Sequence, residues 1–386
     1  MAQTYAAKYL MKAALSAPRD LVNSYVARFK PIHPTVLIFN CTFVCDARCE
    51  MCSNWQRGDR KSDMTLEQID RTFQSPLWKN VEMCMLSGGE PTTRNDMVEV
   101  SQVFLDRLPK LRKYGINTTG LTPHRAIPMI TKVAEACHEK GIIFSTRVSI
   151  DGVGEMHNEV RQVKNGFAKA METITAMREL QKRVPFNFGV SATIFNKNID
   201  DCENILAWSK KEGLDIVFNM VRFSDPMLGN ADLGNTVKPI GREEERLRRF
   251  FLERVRMDPL MDGQNYIHMH YADMIGNGYH REAPCPFQTQ GIMLNPDGGL
   301  FFCENSEVVG NVLTEDPEEL YFRVTSQKHR DWVRDTQCPT CLSPCQMNVA
   351  AVKQVVPYVK FLVRATREKR RSAATSIPAA AGSISD

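Results

Sequence analysis

From residue 35 to 221 the chain alternates short apolar runs with longer stretches in which apolar residues recur every three or four positions. TVLIFN (35–40), VEMCMLS (81–87), GINTTG (115–120), IIFSTRVSI (142–150), FNFGVSATI (186–194) and DIVFNMV (215–221) have strand length and strand residue types. Between them, MTLEQIDRTFQ, NDMVEVSQVFLDRLPKLRK, RAIPMITKVAEACHEKG, FAKAMETITAMRELQKR and DDCENILAWSKKEG carry the helical period. This order predicts an α/β fold, a parallel sheet with crossover helices. Six β/α units are too few to close an eight-stranded barrel, so the expected architecture is a partial (β/α)6 TIM-like barrel. Right-handed crossovers bring every strand C-terminus to one side, and function is expected on that side.

A polar stretch, 222–241, ends the alternation. Two helical patterns follow, REEERLRRFFLERVRM and QNYIHMHYADMIGN, and then GIMLNPDGGLFFC reads as a hairpin turning at Asp297-Gly298. The division expected is an amphipathic helical segment (1–30), the barrel (31–241), a helical linker with a small cysteine-bearing domain (242–348), and a basic amphipathic C-terminal segment (349–386). The last residues, 372–386, are small and polar and predict disorder.

Composition narrows the chemistry. Of 386 residues, 43% are hydrophobic and 24% charged, ordinary for a globular chain with a sizeable core, and the net charge of +4 gives no argument for nucleic acid. The first thirty residues lack a continuous apolar signal segment, and no run of 18 apolar residues occurs, so a cytoplasmic location is expected. In that setting twelve cysteines point to metal ligation rather than disulfides.

Cys45, Cys49 and Cys52 stand at C-x3-C-x2-C spacing directly after the first strand. A [4Fe–4S] cluster normally takes four thiolates, and three leave one iron open to an outside ligand. This spacing in this place resembles the radical S-adenosylmethionine superfamily, whose core residues 35–220 resemble throughout. The resemblance implies that the open iron chelates S-adenosylmethionine. It also implies reductive cleavage to a 5′-deoxyadenosyl radical, which abstracts hydrogen from an unactivated carbon. Cys41 is expected to end the strand rather than ligate. Met51 stands where the family usually has an aromatic residue near the adenine. The competing reading is a zinc knuckle, which favours four protein ligands.

Two further motifs extend the resemblance. In LSGGEP (86–91), Gly88 and Gly89 would let the backbone approach a ligand, and with Glu90 would bind the methionyl ammonium. RVSIDG and the following HNEVRQVKNGF resemble the family's Ser-x-Asp-Gly turn and His-x3-Arg stretch. There Ser149 and Arg161 would hold the cosubstrate's carboxylate or ribose. Asp151 is expected to fix the turn and His157 to pack or cap. Ser191, Thr193 and Asn196 could reach the ribose or adenine, or could simply finish a polar strand end.

A second cysteine set, Cys285, Gly298-x4-Cys303 and CPTCLSPC, resembles the SPASM extension in its shortened twitch form. That implies one auxiliary [4Fe–4S] cluster on Cys285, Cys303, Cys338 and Cys341. Cys345 is an alternative ligand or a free thiol near the site, and the one candidate for a catalytic thiol. A zinc ribbon is the alternative. Cys84, Cys137 and Cys202, each among apolar neighbours, are expected to be structural. His268 and His270 are expected to diverge on a helix.

The basic termini suggest peripheral contact with an anionic membrane at the inner face, against the plainer expectation that both helices pack on the barrel. Substrate classes consistent with these features are a small molecule or a lipid-linked molecule, with oxidation, epimerisation or bond formation as outcomes. A ribosomal-peptide maturase is the alternative, although the short N-terminus leaves no room for a leader-binding domain. A non-enzymatic zinc or iron–sulfur protein is the rival class. The resemblance further implies an electron donor such as flavodoxin or ferredoxin. Asn117, Thr119, Arg147, Asn219 and Arg222 are expected to line the barrel near the substrate.

Overall fold

The computed structural model describes residues 18, 22, 25–27, 29–260, 263–344 and 355–375. Cys345, most of residues 1–30, residues 349–354 and the tail beyond 375 lie outside the described residues. The chain forms two compact units, Met1–Pro239 with Pro286–Pro339, and Ile240–Cys285 with Thr340–Asp386.

In the first unit all six expected strands form. They are β1 (Val36–Thr42), β2 (Met83–Gly88), β3 (Lys113–Thr118), β4 (Ile143–Ser149), β5 (Asn187–Ile194) and β6 (Ile216–Met220), each parallel to the next. The crossover helices Met97–Arg107, Pro123–Glu139, Gly166–Gln181 and Cys202–Lys211 lie within the expected segments. Alternation along each strand sorts its side chains to two faces. Leu37, Phe39 and Cys41 of β1 join Leu86, Tyr114, Ile116 and Phe144 in the core shared with Val100, Phe104, Ile130 and Val133 of the helices. Cys41 therefore lies in a different cluster from Cys45, Cys49 and Cys52, and Cys84 and Cys137 share its core. The opposite face is mixed, with Ile38, Met85 and Met293 in one row and polar residues beyond them. The register aligns Asn40 with Ser87, and Asn117 with Arg147 and Gly189, in one row across the strands.

The hairpin at Asp297-Gly298 forms as β7 (Gly291–Leu294) and β8 (Gly299–Phe301), with Gly298 in the left-handed region at φ 85°. Its placement differs from expectation. β7 pairs in parallel with β1, so the sheet runs β6-β5-β4-β3-β2-β1-β7-β8-β9, the last strand being Gly310–Asn311. Residues 286–339 thus belong with the barrel rather than with a separate cysteine domain. Arg330 secures the join: it donates to the Gly291 carbonyl at 2.9 Å and lies 4.7 Å over the Phe302 ring.

In the second unit, helices Arg242–Met257 and Gly263–Gly276 pack with the C-terminal helix Val355–Thr375. Tyr266 meets Phe361 at 5.1 Å, and Ala365 is fully buried. Arg364 pairs with Asp273 at 2.5 Å, and Lys369 donates to the Arg256 carbonyl at 2.9 Å. Two of the basic residues expected to meet a membrane are therefore engaged within their own unit. Among the described residues, no helix is long and apolar enough to cross a membrane.

Candidate functional site

The chain leaving β1 passes directly against the turn that leaves β2. Gly89 N donates to the Thr42 carbonyl at 2.7 Å, and Glu90 N to that of Val44 at 2.9 Å. A Cβ at Gly88, where φ is 118°, would lie 2.2 Å from the Thr42 oxygen, and one at Gly89 would lie 2.4 Å from that of Val44. The glycines are thus required by the backbone of the cysteine loop itself. They bring the turn close to residues 42–44.

Glu90 is buried, and its carboxylate is taken up by protein donors. One oxygen accepts from Thr92 N (3.1 Å), Thr92 Oγ1 (2.6 Å) and Thr118 Oγ1 (2.8 Å), the other from Thr119 N (2.6 Å). Burial first, then the charge of Asp46, pushes its pKa up to about 7, against the pull of the three threonines. Asp46, inside the cysteine loop, accepts from Thr119 Oγ1 at 2.9 Å and Thr122 Oγ1 at 2.7 Å. Thr119, expected to line the barrel, is therefore a tie between loops.

The three thiols share an apolar setting. Cys49 is buried, Cys45 and Cys52 are half-buried, and all three pack with Ala47, Met51, Leu121, Val160, Phe195 and Val221. Burial pushes the Cys49 thiol up to about 11, opposed by Arg161, and raises Cys45 and Cys52 as well. Arg161 Nη1 lies 3.5 Å from Cys49 Sγ, and Nη2 pairs with Asp151 at 2.6 Å. Arg161, expected to hold the cosubstrate's carboxylate or ribose, thus has two protein partners. Its helix, Glu155–Arg161, also supports the loop: Arg48 N and Glu50 N donate to the carbonyls of Arg161 and Val160. Asp151 fixes the turn as expected, accepting from Thr193 N at 2.8 Å, while His157 Nδ1 accepts from Asp151 N at 3.2 Å.

On the inner face Ser149 and Ser191 are direct neighbours across β4 and β5, and Thr193 pairs with Asn219 across β5 and β6. Asn117 is exposed on β3. Two of the expected substrate contacts have partners instead. Arg147 pairs with Asp215, in the room that Gly189 leaves by lacking a side chain, and Arg222 pairs with Glu304. Asp46, Asn54, Asn230 and Glu304 carry no sequence signal that marks them, yet each is fastened to the loop or to its supports.

Of the second cysteine set, Cys303 and Cys338 belong to the first unit and Cys285 and Cys341 to the second. Within the second, Arg281 donates to the carbonyls of Ala283 (2.7 Å), Cys341 (2.9 Å) and Ser343 (2.7 Å), binding the chain beside Cys285 to that around Cys341. Ser343 N lies 3.4 Å from Cys341 Sγ, an amide donating to sulfur. Among the described residues, no three His, Cys, Asp or Glu side chains close around a single point that would take a metal ion.

Residues 39–209 match the model of the Radical SAM superfamily. That stretch of the chain is a radical SAM domain. A GTP 3′,8-cyclase from Alkaliphilus oremlandii is 25% identical over 46% of this chain and 53% of its own length. An AdoMet-dependent heme synthase from Methanosarcina barkeri is 26% identical over 57% of this chain and 58% of its own. The chain thus spans about half the length of these curated relatives. Among solved structures, anSMEcpe with bound AdoMet superimposes with a TM-score of 0.55 at 14% identity, covering 86% of this chain and all of the other. Streptococcus suis SuiB bound to S-adenosylmethionine gives 0.53 at 12%, covering 80% and 70%. These two likenesses are of fold, and they bear out the partial barrel.

Proposed function

We propose that this chain is a radical S-adenosylmethionine enzyme acting on a C–H bond of a polar small molecule. The observation that carries the reading is the loop of three thiols after β1, Cys49 buried and Cys45 and Cys52 half-buried, with Cys49 receiving a guanidinium at 3.5 Å. Cys45, Cys49 and Cys52 would hold a [4Fe–4S] cluster, which with S-adenosylmethionine supplies the hydrogen-abstracting radical. The donor set fits that group, since a buried cation beside a thiol favours its thiolate form.

The chain's own residues would do the rest. Thr42, Gly88, Gly89 and Asp46 fix the loop. The apolar shell of Met51, Leu121, Val160 and Phe195 excludes water around it. At the Gly-Gly-Glu turn one Glu90 oxygen accepts three bonds from Thr92 and Thr118 and the other accepts one from Thr119, which leaves the second oxygen able to meet an ammonium. Ser149, Ser191, Thr193, Asn117 and Asn219 offer neutral donors and acceptors from the inner face, suited to a polar substrate or to the ribose and carboxylate of the cosubstrate. The names of the curated relatives, a GTP cyclase and a heme synthase, support a small molecule over a lipid surface. An auxiliary cluster on Cys285, Cys303, Cys338 and Cys341, and reduction by a flavodoxin or ferredoxin, complete the proposal.

The test is anaerobic reconstitution with iron and sulfide, followed by reductant and S-adenosylmethionine. The wild-type chain should release 5′-deoxyadenosine and Cys49→Ala none. A wild-type chain that binds zinc in the loop and releases no 5′-deoxyadenosine overturns the reading.

A further inference from the structure

The segment that follows β6 does more than leave the barrel. Residues 222–230 are fastened on one side to the cysteine loop. Asn230 Nδ2 donates to the Met51 carbonyl at 2.7 Å, Ser53 N to that of Leu228 at 3.1 Å, Asn54 Nδ2 to that of Met227 at 2.7 Å, and Arg57 Nη1 to that of Asp225 at 2.7 Å. On the other side they are fastened to the residue after Cys303: Ser224 Oγ donates to the Glu304 carbonyl, and Arg222 pairs with the Glu304 carboxylate. The middle is cross-braced. Asn230 Nδ2 also donates to the Arg222 carbonyl at 2.9 Å, and its Oδ1 accepts from Ser224 N at 3.0 Å.

The bracing residues are buried as deeply as a core. Asn230 is 0% exposed, Asn54 1%, Glu304 3% and Ser224 4%. Gly229 adopts φ 62°, and a Cβ there would lie 2.7 Å from Arg57 Cδ, so the turn is pressed against the loop with no slack. Loops normally run over the surface because buried backbone must find partners; here the partners are the two cysteine-bearing segments themselves.

We propose that residues 222–230 form a positioning strap, with Asn230 and Ser224 its two fasteners, through which the Cys303 segment sets the geometry of the Cys45–Cys49–Cys52 loop. This rests on the reading above that both cysteine sets hold iron–sulfur clusters. Met51 lies between two of the ligands, so the bond from Asn230 fixes the backbone that sets their spacing. Hydrogen bonding around a cluster's ligands tunes its potential and shape. A change at Cys303 therefore reaches the first cluster through Glu304, Ser224, Asn230 and Met51.

The test uses the full chain, reconstituted without oxygen, and reads the electron paramagnetic resonance signal and midpoint potential of the reduced cluster at Cys45, Cys49 and Cys52. The variants are Asn230→Ala, Ser224→Ala and Cys303→Ala, and each of the first two combined with the third. Asn230→Ala should keep that cluster's iron yet shift and broaden its signal. Cys303→Ala should shift the signal in the wild-type background and by clearly less once Asn230 or Ser224 is replaced, Arg222 keeping its pair with Glu304. A wild-type signal and potential in Asn230→Ala at full iron content overturns the strap, as does a Cys303→Ala shift of equal size in every background. Should Asn230→Ala not fold, Ser224→Ala, which removes one of the two ties to Glu304 and the bond accepted from Met227 N at 3.2 Å, decides the question by the same comparison. A wild-type chain with no cluster signal at all overturns the proposed function, and the strap with it.

Discussion

The Arg161 guanidinium lies between Cys49 Sγ at 3.5 Å and the Asp151 carboxylate at 2.6 Å, with all three groups buried. Removing one member of a buried charge pair costs about 3–5 kcal/mol, because the other is left uncompensated. Arg161→Met should destabilise the chain by that order and lower its retained iron. The double variant Arg161→Met with Asp151→Asn should recover much of the stability and none of the iron. Urea unfolding and iron analysis check the two halves separately. Equal recovery of both would mean that Arg161 matters only as the partner of Asp151.

Glu90 predicts a slope of stability with pH. Its carboxyl titrates near 7 in the folded chain against 4.5 when free, so between those values the folded state holds more protons than the unfolded one. Stability falls as pH rises through that window and levels off above it. Glu90→Gln lacks the slope and sets an amide against Thr119 N, a loss of about 1–3 kcal/mol for a buried unsatisfied donor. The gap between wild type and variant should be widest near pH 5 and narrow toward pH 8. Parallel stability curves would show that Glu90 does not titrate there.

His268 acts in the opposite direction. It lies against the Phe251 ring at 5.7 Å, buried, with no hydrogen bond to either ring nitrogen among the described residues and with Asp258 at 3.9 Å. Burial, and then Arg254, pushes its pKa down to about 3. The unfolded chain takes up the proton near 6.5 and the folded chain does not, so this contribution is intact above that pH and lost as pH falls. At pH 5 the loss is on the order of 2 kcal/mol. His268→Phe should remove it, giving a variant better matched to wild type at pH 8 than at pH 5, where it should be the more stable. Thermal melting at the two pH values decides.

Gly89 and Gly141 make a matched pair. A Cβ at Gly89 would meet three backbone atoms within 2.8 Å, whereas at Gly141 it would meet nothing within 4 Å but would have to accept φ 67°. Gly141→Ala should cost about 1 kcal/mol from backbone conformation alone. Gly89→Ala should cost more and, because the atoms it strikes are Phe43 and Val44, should also lower iron retention. Loss of stability with full iron would show that the loop tolerates displacement.

Regular pattern made the barrel legible. The strands from TVLIFN to DIVFNMV each carry enough apolar character to be recognised, and the three thiols lie within eight residues of one another. The joining of β7 to β1 was not legible. Four consecutive buried residues show no period, and the bond that marks the junction, Asn40 to Asn295, spans 255 positions. The supports of the site are hidden for the same reason: Asp46 meets Thr119 across 73 positions, Arg222 meets Glu304 across 82, and Asn230 meets Met51 across 179. Glu90 is held by neighbouring threonines and Arg161 by Asp151, and nothing in the local sequence announces those bonds.

The parallel pairing of β1 with β7 has a consequence for synthesis. While the ribosome is still making residues 43–290, the strand preceding the cysteines has one open flank and nothing to close it. Long-range pairings of this kind form late and leave nascent chains prone to association. Loading of the cluster proposed for the loop would then follow synthesis of β7, and a carrier that shields the uncovered flank until that point would raise the yield of loaded protein.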